Sequence, residues 1–190
     1  MAEPIAAGPG TGRPNMLAVG TVVWLASELM FFSGLFAAWF SLRSINPAWP
    51  PEGVELEPLR TGLATVVLVA SSFSMHVATK AAEHGDRGKA TRWVLVTVAM
   101  GGVFVINQGL EYAGFEFSPS SHAYGSIFYL MTGFHGLHVV GGLALMLAMV
   151  GVGTGRTRAP MAEGLTVTEY YWHFVDVVWI GMFATIYVLG

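Results

Sequence analysis

Glu28 stands inside the apolar run from Met16 to Phe40, and its neighbours on the same helical face, Trp24, Phe31, Phe32, Leu35 and Trp39, supply no counter-charge. A carboxyl in oil is costly unless it is neutralised or paired. The expectation is a buried, protonated group that either bonds to a neighbouring helix or handles a proton. His135 and His138 are three apart and share one face, flanked by Gly133, Gly136, Gly141 and Gly142, which permit close backbone approach. Glu169, His173 and Asp176 follow at spacings of four and three, a polar stripe in which a carboxylate can orient an imidazole by accepting its ring N–H. His76 falls at a depth matching His173, and these are the one pair that could face each other across a haem. A zinc site would need Glu169 or Asp176 as further ligands. Asn107, Gln108 and Glu111 end another apolar run and can bond across to other helices.

Apart from 135 and 138, these histidines lie on separate segments, so no spacing dictates a metal geometry. The residues themselves therefore favour interhelical hydrogen bonding by His76, Gln108, Glu111, His135, His138, Glu169, His173 and Asp176, with no catalytic residue and no bound metal.

The elements that must position these groups follow from composition. The chain has 190 residues, 54% hydrophobic and 11% charged, where a soluble domain carries about 25% charged residues. A net charge of −3 speaks against nucleic acid as a partner. The absence of cysteine excludes disulfides, thiolate zinc sites and iron–sulfur clusters. Five apolar runs remain, predicting helices near residues 16–42, 60–81, 92–113, 122–150 and 168–189. Each is too long for the strand of about 10 residues that a β-barrel uses. The predicted fold is all-α, one integral membrane bundle of five transmembrane helices over residues 16–190, behind a flexible cytoplasmic tail at 1–15 that is Gly/Pro-rich and unlike a signal peptide.

Pro47, Pro50 and Pro51 cannot continue a helix, so Asn46–Pro51 reads as an outer loop with Trp49 at the membrane interface. Glu83–Lys89 reads as an inner turn, and Gly151–Gly155 opens an inner loop. Short connections predict that sequential helices are antiparallel neighbours. With the N-terminus cytoplasmic, Arg13, Lys80, Arg87, Lys89, Arg92, Arg156 and Arg158 lie inside against Arg43 and Arg60 outside. The positive-inside rule favours that orientation and places the C-terminus outside.

Three blocks carry a family resemblance: Ser27-Glu28-Leu29-Met30-Phe31-Phe32-Ser33-Gly34, Thr132-Gly133-Phe134-His135-Gly136-Leu137-His138-Val139, and Tyr171-Trp172-His173-Phe174-Val175-Asp176-Val177-Val178-Trp179. They resemble the signature segments of subunit III of the haem–copper terminal oxidases, in the short five-helix form typical of bacteria. Glu83-His84-Gly85-Asp86-Arg87, Gln108-Gly109-Leu110-Glu111-Tyr112 and Tyr124-Gly125-Ser126 are similar to that family as well.

The resemblance implies a multi-pass protein of the bacterial plasma membrane, part of a proton-pumping cytochrome c oxidase of aerobic respiration. Haem and copper would sit in partner subunits, with no redox centre and no cofactor on this chain beyond structural phospholipid. Subunit I would be the main contact, with subunit II, other respiratory subunits and membrane lipids as further partners. The role implied is to stabilise the assembly, bind lipid and support oxygen access and sustained proton uptake. Glu28 falls on the family's intramembrane carboxyl; His135, His138, His173 and Asp176 fall on motif positions. The long form of the family has seven helices around a lipid-filled cleft, and this sequence matches the last five. The cleft's far wall is then expected from another subunit, an extension of subunit I, or lipid. The resemblance also admits quinol oxidases, a relative associated with nitric oxide reductases, and membership of a respiratory supercomplex. An independent proton-linked transporter built on Glu28 and a b-type cytochrome on His76 and His173 are the readings outside the family.

Overall fold

The computed structural model describes residues 16–154 and 161–189. The predicted tail at 1–15, like Arg156 and Arg158, lies outside the described residues. Five helices follow in order: α1 (Met16–Ile45), α2 (Pro58–Glu83), α3 (Arg87–Gly114), α4 (Ala123–Thr154) and α5 (Met161–Phe183), the last continuing into a π-helical turn at Ala184–Val188. All five are long and apolar enough to cross a membrane.

Several ends lie outside the predicted bounds, and the caps explain why. Gly85, at φ +80°, stops α2, and the Asp86 amide reaches back to the Ala81 carbonyl at 3.0 Å, a wrap that satisfies orphan carbonyls. Asp86 then caps α3 by accepting from the Lys89 amide at 2.8 Å, so α3 starts at Arg87 rather than near residue 92. The imidazole of His122 does the same for α4, accepting from the Gly125 amide at 2.8 Å. Helix α4 runs on through Thr154, taking up most of the stretch expected to open a loop. Helix α5 begins at Met161, not near 168, because Met161 and Leu165, one turn apart, are both buried.

Helices α2, α3, α4 and α5 form a closed ring in which α5 returns to pack against α2. Helix α1 lies outside that ring against α4 and α5. This corrects the expectation that every sequential pair is adjacent: α1 and α2 are not major neighbours. The linker at residues 46–57 accounts for the difference, since a chain of that length spans up to about 40 Å when extended. Trp49 in this linker is half-buried, not merely interfacial, its ring 5.0 Å from those of both Trp39 and Tyr124. Phe32 and Trp39 are the buried residues of α1, Leu25, Leu35, Phe36, Ala38 and Leu42 pack partly against the core, and apolar residues such as Val22, Val23, Leu29 and Met30 are exposed.

Trp172 organises the ring's centre. It is fully buried and sits where a Cβ on Gly101 of α3 or Gly142 of α4 would come within 2.9 or 2.8 Å of it. Its indole N–H donates to Ser71 of α2 at 2.9 Å. Ser74 and Thr97 join α2 to α3 through hydroxyls 2.7 Å apart, a bond suited to oil, where water cannot compete.

Candidate functional site

The polar residues of the bundle gather into three clusters. The first joins α1 to α4. Glu28 Oε2 lies 3.2 Å from His138 Nε2, and His138 Nδ1 lies 2.7 Å from the Phe134 carbonyl. A carbonyl only accepts, so Nδ1 must carry a hydrogen. In a singly protonated ring Nε2 is then an acceptor, and a carboxylate is an acceptor too. The contact therefore needs one further proton, held on either atom, and the pair is neutral overall in both arrangements. The two side chains are 24% and 16% exposed respectively, so Glu28 is partly enclosed by this chain rather than fully buried in it. His138 is also held by rings: Phe32 meets it edge-on at 5.2 Å, and Tyr171 donates its hydroxyl to the His138 carbonyl at 2.8 Å.

The second cluster lies between α2 and α5. His76 Nδ1 is 2.8 Å and His173 Nε2 is 3.5 Å from the same oxygen of Glu169. The two histidines, on different helices, thus turn to one carboxylate oxygen. Asp176 lies deeper, accepting a hydrogen bond from Ser72, with its other oxygen unpartnered. A groove of about 530 Å³ opens over this set, walled by Val69, Phe73, Val177 and Ile180. The histidine side chains are 57% and 47% exposed against 10% for Glu169, so the imidazoles face outward over an enclosed carboxylate. Among the described residues, no group of three or more His, Asp and Glu is arranged to hold a metal ion.

The third cluster ties α2, α3 and the π-turn together. Thr61 and Tyr187 both donate to Glu111 Oε1 at 3.0 Å. Close by, Arg60 donates to Asn107 at 2.8 Å and to Glu57 at 3.3 Å. The expected cross-helix bonds of Glu111 and Asn107 are thus made. Replacing Tyr187 with phenylalanine should lower the unfolding free energy by about 1–3 kcal/mol, because it deletes a hydrogen bond to an enclosed carboxyl. The shift in the thermal midpoint of the detergent-solubilised chain, compared with Tyr170→Phe on the exposed face, reads that loss.

Two candidates depart from expectation. His135 is buried with neither ring nitrogen bonded; it stacks on Trp179 at 4.8 Å and meets Phe104 edge-on at 6.0 Å. Its link between helices is aromatic packing rather than a hydrogen bond. Gln108 is buried with both amide atoms unpartnered. Conversely, Thr61, Ser72 and Tyr187 are not singled out by the sequence, although each bonds a singled-out residue. Thr61, Thr65 and Ser72 recur at helical spacing inside an apolar run, and that pattern was the available signal.

The motif blocks thus converge in space: the first and second blocks meet at Glu28 and His138, and the second and third meet where Tyr171 donates to the His138 carbonyl and Trp179 stacks on His135. The family model described as Cytochrome c oxidase subunit III matches residues 12–190. A protein of Nocardia farcinica described as "Probable cytochrome c oxidase subunit 3" is 51% identical over 180 residues, covering 92% of this chain and 89% of its own. The protein of the same description from Mycobacterium tuberculosis is 49% identical over the same coverage. Cytochrome c oxidase subunit 3 of Synechocystis is 41% identical over 185 residues, covering 94% and 78%. A match spanning all five helices, at this identity and with the blocks in contact, makes the chain a member of the cytochrome c oxidase subunit III family.

Proposed function

We propose that this chain is the non-redox subunit III of a proton-pumping cytochrome c oxidase in a bacterial plasma membrane, where it packs chiefly on subunit I, with subunit II and lipid as further neighbours. Haem and copper belong to those partners and supply the electron transfer and oxygen reduction. The observation that carries the reading is the family match over residues 12–190, across a bundle in which Glu28 meets His138, Glu169 meets His76 and His173, and Glu111 accepts from Thr61 and Tyr187. Cytochrome c as donor is favoured by the names of the relatives. A cytoplasmic N-terminus is supported by Lys80, Arg87, Lys89 and Arg92, which cluster at one end of the bundle while Arg43 and Arg60 lie at the other.

In that orientation His76 and His173 stand at the cytoplasmic end, the side from which a pumping oxidase takes protons. Glu169 lies between them as a carboxylate partner that both rings share. Glu28 and His138 serve a different purpose: they join α1 to the ring without placing net charge in the lipid. An oxidase purified without this chain should keep most of its initial oxygen consumption and its haem spectrum. Its activity should then fall by about tenfold over sustained turnover while the complete complex persists. Immediate and complete loss of electron transfer would refute the non-redox role.

A further inference from the structure

A second polar feature faces away from the clusters above. Helices α3 and α4 leave between them a groove of about 220 Å³, lined by Gln108, Gly109, Gly133, Gly136, Leu137 and Val140 among others. The glycines have no use inside the chain. A Cβ on Gly109 or Gly136 would meet nothing within 4 Å, and on Gly133 only the Tyr112 hydroxyl at 4.0 Å. Their backbones are ordinary helix; positive φ occurs at Gly53 and Gly85 instead. Glycine weakens a helix relative to alanine, so a run of it on an open face asks for something outside that comes close.

Gln108 says what that something must offer. Its side chain is 7% exposed and lines the groove, yet neither its oxygen nor its nitrogen has a partner. The hydroxyls nearby are committed: Thr132 donates to the Phe128 carbonyl at 2.7 Å, so its contact with Tyr112 at 2.6 Å uses the Tyr112 hydrogen. The amide lies within a membrane-spanning helix, where hydrocarbon provides neither donors nor acceptors. An acyl chain could fill the groove but would leave the amide unpaired. A helix can lay its backbone over small residues and extend a polar side chain to the amide at once.

We infer that the α3/α4 groove seats a transmembrane helix of a neighbouring oxidase subunit, which closes over Gly109, Gly133 and Gly136 and hydrogen-bonds Gln108. The inference rests on the chain being an oxidase subunit. It adds a docking face distinct from the α1 side of α4, where Phe134 meets Phe31 and His138 meets Glu28.

The test uses the intact oxidase. Leu137, 66% exposed at the groove, is replaced by the photocrosslinker p-benzoylphenylalanine, and irradiation is expected to join this chain to another oxidase polypeptide. An adduct with phospholipid alone overturns the inference. Gly136→Leu and Gln108→Leu should each lower the ratio of this chain to haem after a detergent wash by about tenfold, the scale of one interhelical contact. Gly102→Leu, on α3 at a position where a Cβ also meets nothing within 4 Å but outside the groove lining, should hold the parental ratio. Retention of both groove variants, or equal loss of Gly102→Leu, overturns the groove. If the parental chain brings down no haem at all, the oxidase-subunit reading falls with it.

Discussion

Trp172→Ala is expected to lower the unfolding free energy of the bundle by about 3–5 kcal/mol, the range for removing a large buried aromatic. The indole is fully buried and fills space that Gly101 and Gly142 leave by having no Cβ. Neither glycine can swing a side chain into the hole, so the cavity stays. The substitution also removes the donor to Ser71, whose own hydroxyl is directed at the Leu68 carbonyl. Trp172→Phe keeps most of the ring and loses that bond, at about 1–2 kcal/mol. The reverse change, Gly142→Leu, should be as damaging as the alanine: its Cβ would lie 2.8 Å from two ring carbons of Trp172 and 3.1 Å from Tyr171. Midpoints of heat- or detergent-driven unfolding, read by near-ultraviolet circular dichroism, order the variants. Trp93→Ala, on a partly exposed indole, is the comparison. A Trp172→Ala midpoint equal to that of Trp93→Ala would mean that the centre of the ring is not where stability is concentrated.

The five helices were legible because hydropathy over about 20 residues is a local property. Their ends were less so. Asp86 lies in a polar stretch that hydropathy discards, yet it is the cap that starts α3. Met161 and Leu165 are too few apolar residues to register as a span, but their burial extends α5 by almost two turns. The place of α1 could not be read from loop length alone, since the linker at 46–57 permits a neighbour or a crossing, and the packing of Phe32 and Trp39 against α4 and α5 decides. The same divide runs through the polar residues. Glu169 and His173 share one helix, so their contact followed from spacing. Glu28 and His138 lie 110 residues apart on different helices, and no periodicity links them. His135 and Gln108 were expected to bond across helices; one packs by its face and the other points into an open groove.

The pairing of Glu28 with His138 turns the carboxyl into a test of charge rather than of shape. Because Nδ1 is spent on the Phe134 carbonyl, the bridge between Nε2 and Oε2 contains a single hydrogen. Glu28→Gln replaces that hydrogen with one from the amide, keeps the length of the side chain, and leaves the site neutral. Assembly with the rest of the oxidase should stay within about twofold of the parent, since one hydrogen bond is exchanged for another. Glu28→Lys also offers a donor to Nε2, at nearly the same reach, but it adds a positive charge that nothing on α1 balances. A lysine at the centre of a transmembrane helix costs about 2.5–3.5 kcal/mol, which corresponds to roughly a hundredfold or more in an equilibrium. The expected result is at least a tenfold fall in this chain per haem in the purified complex, with the haem spectrum of what remains unchanged. Glu28→Leu separates the terms: it has no charge and no donor, so its deficit measures the bridge alone and should fall between the other two. Were Gln to fail as badly as Lys, the carboxylate form itself would be needed, and the pair would have to act as imidazolium and carboxylate rather than as imidazole and carboxylic acid.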